Sequence, residues 1–189
     1  MDNPSLILQA VDKHLDHQVR LVLYGRAALW LGFNEPPPEA ARTQDVDAIV
    51  STVQETELAA DPGFWNAVES ANVELAALGL YITHLFSERE VFLRRRWEKT
   101  LVKVVRPALK SLQLFRPSTL DLVLTKMMRG NDPQDMADAK FMIKHDDISE
   151  AQLELAFSEM KPVELVEHQD AFKKAKPLVL QFARKNLTK

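Results

Sequence analysis

The stretch "LVLYGRAALWLGF", Leu21–Phe33, decides how the rest of the chain is read. Leu21, Val22, Leu23 and Tyr24 form a β-type run that meets Gly25, and Ala27-Ala28-Leu29-Trp30-Leu31 follows as a helical run. The pattern predicts a buried strand over Val19–Tyr24 that turns through one glycine into a short helix over residues 26–32, which Gly32 can close. Two readings of that turn stay open. One is a plain tight β–α connection. The other is an anion cradle: a helix N-terminus presents unpaired N–H groups and partial positive charge, and glycine lets a phosphate come close to the backbone.

Working outward, Leu6, Ile7, Ala10, Val11 and Leu15 fall at helical spacing, which predicts a surface helix over residues 4–16. "NEPPPEAARTQ" is expected to be a loop, because three consecutive prolines continue neither a helix nor a ladder. "DVDAIV", Asp45–Val50, alternates and is rich in Val and Ile, so a strand is expected. Asp61 and Pro62 open a helix that stops at Gly79, and "LYITHLF" then reads as a strand. Ser87 and Glu90 have capping-box spacing for a short helix. "TLVKVV" (100–105) and "LQLF" (112–115) read as strands. Beyond residue 118 everything reads as helix. Ser118 caps one that runs to Arg129, Asp132-Pro133 opens the next, Ser149 with Gln152 opens a third, and residues 163–186 form the last. The expected class is α/β (α+β): a mixed sheet flanked by helices over residues 1–116, and a helical region over residues 117–189 on the same core.

Composition narrows the function. The chain has 189 residues, of which 46% are hydrophobic, enough for a proper core. Lys plus Arg is 24 and Asp plus Glu is 27, a net charge of −3, so only a local patch could attract nucleic acid. With no cysteine, disulfides and thiolate metal sites are excluded, and a reducing cytoplasm fits. The N-terminal "MDNPSLILQAVDKHLDH" reads as neither signal peptide nor membrane span.

Asp45-Val46-Asp47 is the sharpest feature. Residues i and i+2 of a strand share a face, so two carboxylates stand about 7 Å apart along it. Like charges there repel unless a cation sits between them, and a hard ion such as Mg²⁺ suits the geometry, with phosphates as further ligands. The plainer alternative is a solvent-facing strand edge with two acids. Lys126 sits among Leu122, Val123, Leu124 and Met127, so its stem is expected to be buried and its charge to need an anionic partner or ligand. Asp135 and Asp138 share one helix face. Either Lys126 or Arg129 pairs with them and pins two helices, or the cluster presents Lys126 to a triphosphate; both can hold. Arg94, Arg95, Arg96, Lys99, Lys103, Arg106 and Lys110 form a basic stretch with one acid, Glu98. It reads as a solvated face or as a track for an RNA backbone, with Trp97 a core anchor or a base-stacking surface. The five histidines show no zinc-type spacing.

A hydrophobic strand, Gly25, a helix, and then a strand with Asp45 and Asp47 resemble the nucleotidyltransferase superfamily. "T-x-D-x-D" from Thr43 resembles the version in the bacterial type IV toxin nucleotidyltransferases of abortive-infection systems. "LDLVLTKMMRGNDPQDMADAKFMI", from Leu120, resembles that subgroup's helical signature at Lys126, Arg129, Asp135 and Asp138. The resemblance implies a nucleotidyltransferase-like fold and transfer of a nucleotidyl group from a nucleoside triphosphate to a hydroxyl of RNA, such as tRNA, or of a protein. It implies Mg²⁺ on Asp45 and Asp47, catalytic roles for Asp45, Asp47, Lys126 and Asp135, and nucleotide contacts from Gly25, Arg26, Ala27, Thr43, Lys126 and Arg129. It also leaves room for an antitoxin partner, while the missing cysteines fit a cytoplasmic protein and the N-terminus gives no membrane association. Two departures accompany it. Arg26 stands where a second small residue is usual, and either clamps a phosphate or fills the site. "TLVKVV" offers Lys103 where a third carboxylate often stands. The alternative is a nucleotidyltransferase fold without turnover that acts through nucleotide or partner binding.

Overall fold

The computed structural model describes residues 2–161 and 166–186. The chain divides into two compact units, Met1–Glu88 with Val102–Arg116, and Arg89–Leu101 with Pro117–Lys189. Residues 89–101, counted with the first half in the sequence reading, therefore belong with the helices. The class is the expected one: a mixed sheet with helices, and a C-terminal half that is helical.

The sheet unit has five strands in the order β3-β2-β1-β5-β4: β1 (Val19–Tyr24), β2 (Asp45–Val50), β3 (Tyr81–Ser87), β4 (Val102–Lys103) and β5 (Leu112–Arg116). β1 runs antiparallel to β2 and parallel to β5; β3 is parallel to β2, and β4 antiparallel to β5. Central β1 is apolar on both faces, with Leu21, Val22 and Leu23 all buried, as the unbroken hydrophobic run requires. Helices α1 (Asn3–His14), α2 (Gly25–Gly32) and α4 (Pro62–Leu75) pack on it and enclose the core. Asp12 on α1 fixes where β5 begins: its Oδ1 accepts the Ser111 and Leu112 amides, both at 2.7 Å, and its Oδ2 the Lys110 amide at 2.9 Å. Asn72 on α4 bonds both backbone groups of Ile82, covering part of the outer edge of β3.

The helical unit contains α5 (Thr119–Lys126), α6 (Pro133–His145), α7 (Glu150–Glu159) and α8 (Val166–Asn186). Ser118, Asp132 and Ser149 cap the first three as their sequence positions predict, Ser149 and Gln152 forming a full capping box.

Several expectations are corrected. α5 ends at Lys126, and residues 127–131 form turns with Gly130 at φ +70°. The strand expected over 100–105 shrinks to Val102–Lys103, which hold register with Arg116 and Phe115 of β5; past them the Val104 amide still donates to the Leu114 carbonyl at 2.9 Å. Ser87 and Glu90 cap no helix: Ser87 ends β3, and Glu88 instead accepts from the Thr52 amide and hydroxyl. That contact serves α3 (Thr52–Ala59), which the sequence reading missed because Leu58 is its only buried residue and no apolar period shows. The proline-rich loop contains a 3₁₀ turn over Pro38–Arg42. The predicted start of the last helix, near residue 163, lies outside the described residues.

Gly32 is required by contact. A Cβ there would stand 2.4 Å from Cδ and 2.7 Å from Nε of Arg116. That side chain is buried, stacks at 4.1 Å over the Phe33 ring, and donates from Nε to the Gly32 carbonyl at 3.0 Å. Gly32→Ala should therefore cost about 1–3 kcal/mol in urea unfolding. In an Arg116→Ala background the same substitution should cost almost nothing more, a coupling that a double-mutant cycle reads directly.

Candidate functional site

The first cluster grows from the end of β1. Tyr24 is the last strand residue and Gly25 takes φ +64°, a conformation that favours glycine, so strand becomes helix without a linker. Tyr24 pairs across the sheet with Asp47. A Cβ at Gly25 would lie 3.4 Å from Asp47 Oδ2, so that carboxylate stands directly beside the turn. Asp45 and Asp47 are both half-buried and flank the buried Val46, the alternation that puts them on one face of β2. Continuing the β1–β2 register brings Asp45 level with position 26, where β1 has already become α2. Thr43 donates from Oγ1 to Asp45 Oδ1 at 2.7 Å and so orients that carboxylate. Arg26, half-buried, donates from Nη1 to the Glu39 carbonyl at 3.4 Å, and Ala27 is buried behind it. Across Asp47, β3 uses one more residue than β2, between Ile82 and Leu85. Bulges of this kind re-aim side chains and are frequent beside active sites; nothing in the sequence pattern signalled this one. Gly25, Arg26, Ala27, Thr43, Asp45 and Asp47 thus share one end of the sheet.

Lys126, Arg129 and Asp135 belong to the helical unit. Lys126 is nearly buried, and its ammonium lies 3.0 Å from Asp135 Oδ1 and 2.8 Å from Asp138 Oδ2. Arg129 reaches Asp135 Oδ2 through Nε and Asp132 through Nη2. Two cations meet three carboxylates, and the result fastens α5 to α6. Burial pushes the Asp135 carboxyl upward, but the Arg129 hydrogen bond and the Lys126 charge outweigh it and hold it below its ordinary 3.8. Its hydrogen bond in turn raises the Arg129 guanidinium.

The basic stretch is shared between the two units: Arg94, Arg95, Arg96 and Lys99 lie in the helical unit, Lys103, Arg106 and Lys110 in the sheet unit. Arg94 is internal. Its backbone amide and Nε donate to Asp121 Oδ1, and its Nη2 donates to Oδ2 at 2.8 Å. Asp121 has no exposed surface, and Ser118 completes its bonding. This pair raises the Arg94 guanidinium above its usual value. Arg106 bonds the carbonyls of Trp30 and Phe33. Trp97 is 1% exposed and is a core anchor, not a stacking platform.

Among the described residues, no group of three or more histidines and acids stands ready to hold a metal, and no helix is long and apolar enough to cross a membrane. No family model, curated protein or solved structure matches the chain.

The Lys126 cluster carries a pH dependence with a defined sign. The folded Asp135 value is lowered, so its contribution is complete above the unfolded value of about 3.9 and fades as pH falls through the folded value. Wild type should lose stability below about pH 4 through a component that Asp135→Asn lacks. At neutral pH, Asp135→Asn should cost about 3 kcal/mol, because it leaves buried cationic charge undercompensated. Denaturant midpoints of both proteins across pH measure the two effects.

Proposed function

We propose that the chain is a metal-dependent nucleotidyltransferase whose site is the end of the sheet around Gly25, Asp45 and Asp47. The observation that carries the reading is the Asp47 carboxylate beside the Gly25 turn, with Asp45 on the same strand face. A group of phosphates needs two things there: N–H donors at a helix start, and divalent charge held by hard oxygen ligands. The opening amides of α2 supply the first, and Asp45 and Asp47 fit the second. Mg²⁺ is commonly held by one or two carboxylates and completed by substrate phosphates, so a two-acid donor set is sufficient. Bound there, it would neutralise charge on the transferring phosphoryl group. Thr43 holds the Asp45 carboxylate in orientation, and the Gly25 turn leaves the backbone open to a phosphate oxygen. The acceptor in this reading is a hydroxyl of RNA, such as tRNA, or of a protein.

The assignment for Lys126 changes. Its ammonium already serves two carboxylates and is nearly out of solvent, so the phosphate charge falls to the metal and the α2 amides. Lys126, Arg129 and Asp135 keep the helical unit together. A second reading, nucleotide binding without transfer, is favoured by Arg26, whose half-buried side chain occupies the start of α2 where a small residue would leave room.

The test separates these readings. Asp45→Asn with Asp47→Asn should lower Mg²⁺–triphosphate affinity at least about tenfold, by removing the charge that holds the ion. Without ligand, the double variant should melt at or above the wild-type temperature, because two like charges on one face are relieved. Calorimetric titration and thermal melting measure both. A large loss of ligand-free stability would make the acids structural. Wild-type binding with no labelled nucleotide transferred to RNA or protein acceptors would select the second reading.

A further inference from the structure

The helical unit contains a basic cavity that the site around Asp45 does not use. Residues 93–95 run beside residues 159–161: the Arg95 amide donates to the Glu159 carbonyl at 3.0 Å, the Lys161 amide to the Leu93 carbonyl at 2.9 Å, and Arg94 bridges Met160. This stitching fixes the backbone of both walls. Between them lies a cavity of about 510 Å³, within the range of ligand sites. Arg95, Arg96 and Lys99 line it with Thr100 and Ser158. Their three cationic side chains are exposed and make no hydrogen bond or ion pair among the described residues. Arg94 also reaches the cavity, but its guanidinium is committed to buried Asp121 and serves as a fixed wall. Among the described residues one acid, Glu159, lines the cavity, 3.7 Å from Arg94; Glu98 does not.

We infer that this cavity binds the phosphate oxyanions of a ligand, with Arg95, Arg96 and Lys99 as the contacting cations. Three cations without a partner among the described residues, on a fixed frame, raise the local potential in a chain of net charge −3, and an anionic ligand would offset their mutual repulsion. Guanidinium forks suit phosphate oxygens, while the lysine adds a point charge. No aromatic residue lines the cavity among the described residues, so the contact is with phosphate, independent of sequence. Two sources share this chemistry: the phosphodiester backbone of single-stranded RNA, and a free polyphosphate. The inference is independent of the roles proposed for Asp45 and Asp47.

The experiment titrates full-length protein into fluorescent oligouridylate over a range of NaCl concentrations, with inorganic tripolyphosphate as competitor and, by calorimetry, as direct ligand. Wild type should bind, and Arg95→Ala with Arg96→Ala and Lys99→Ala should bind at least about tenfold more weakly, with a salt slope flatter by about 2 for three lost contacts on a single strand. Glu159→Gln should bind more tightly than wild type, an outcome that misfolding cannot produce. Oligouridylate bound with that slope identifies a strand; tripolyphosphate bound without oligouridylate identifies a free polyphosphate. Asp45→Asn with Asp47→Asn should leave the binding intact. No binding of either ligand by wild type, or equal affinity and slope in the triple variant, overturns the inference.

Discussion

The sheet unit depends on the burial of β1 on both faces. Leu21, Val22 and Leu23 can be dry only if both edges of the strand are paired and both faces covered. β2 takes one edge, antiparallel, and β5 the other, parallel. Asp12 sets where β5 starts by accepting three successive amides, which leaves β5 no freedom to slide. Register on the other edge is equally constrained, because a slip of one residue would turn Ala48 and Val50 outward and the carboxylates inward. The position of Asp47 opposite Tyr24 therefore follows from hydrophobic burial rather than from any preference of the acids themselves.

The helical unit is organised on a different principle. Its fixed points are carboxylates taken out of water: Asp121 enclosed by Arg94 and Ser118, and Asp135 and Asp138 gathered on Lys126. Such pairs add little net stability over a well-packed apolar core, but removing one partner is costly, so they define which packing is allowed. The Arg94–Asp121 pair also joins residues 89–101 to α5, which explains why that segment belongs with the helices although it precedes β4 and β5 in sequence.

Legibility in the sequence tracked how local each cause is. Val19–Tyr24, Asp45–Val50 and the caps at Ser118, Asp132 and Ser149 were legible, since each is written in a few adjacent residues. α3 was not, because behind its local cap, Ser51, only Leu58 is buried and no apolar period shows. The edge strand was overextended because only Val102 and Lys103 hold ladder register with β5, whereas the Val-rich run continues to Val105. At the candidate site, the shared face of Asp45 and Asp47 and the Thr43 contact follow from spacing. The bulge opposite Asp47 is a property of two strands together, and no single stretch encodes it. The basic stretch read as one charge run, yet the chain divides it between units and commits the half-buried Arg94 to Asp121.

Gly25 and the acid pair do not weigh equally as signs of function. A residue at φ +64° is glycine for backbone reasons alone, and 3.4 Å from a Cβ position to Asp47 is ordinary contact. Glycine there would be expected in a turn with no ligand at all. Two carboxylates on one strand face are not demanded by backbone conformation in the way the glycine is. They repel, they stand at a sheet end where a threonine or asparagine would serve the strand as well, and Thr43 is placed to orient one of them. The Gly25 turn would let a phosphate approach; the acids would supply the negative charge that a divalent ion needs. Asp45 and Asp47 therefore weigh more than Gly25, their permissive neighbour, as signs of a site for metal and phosphate.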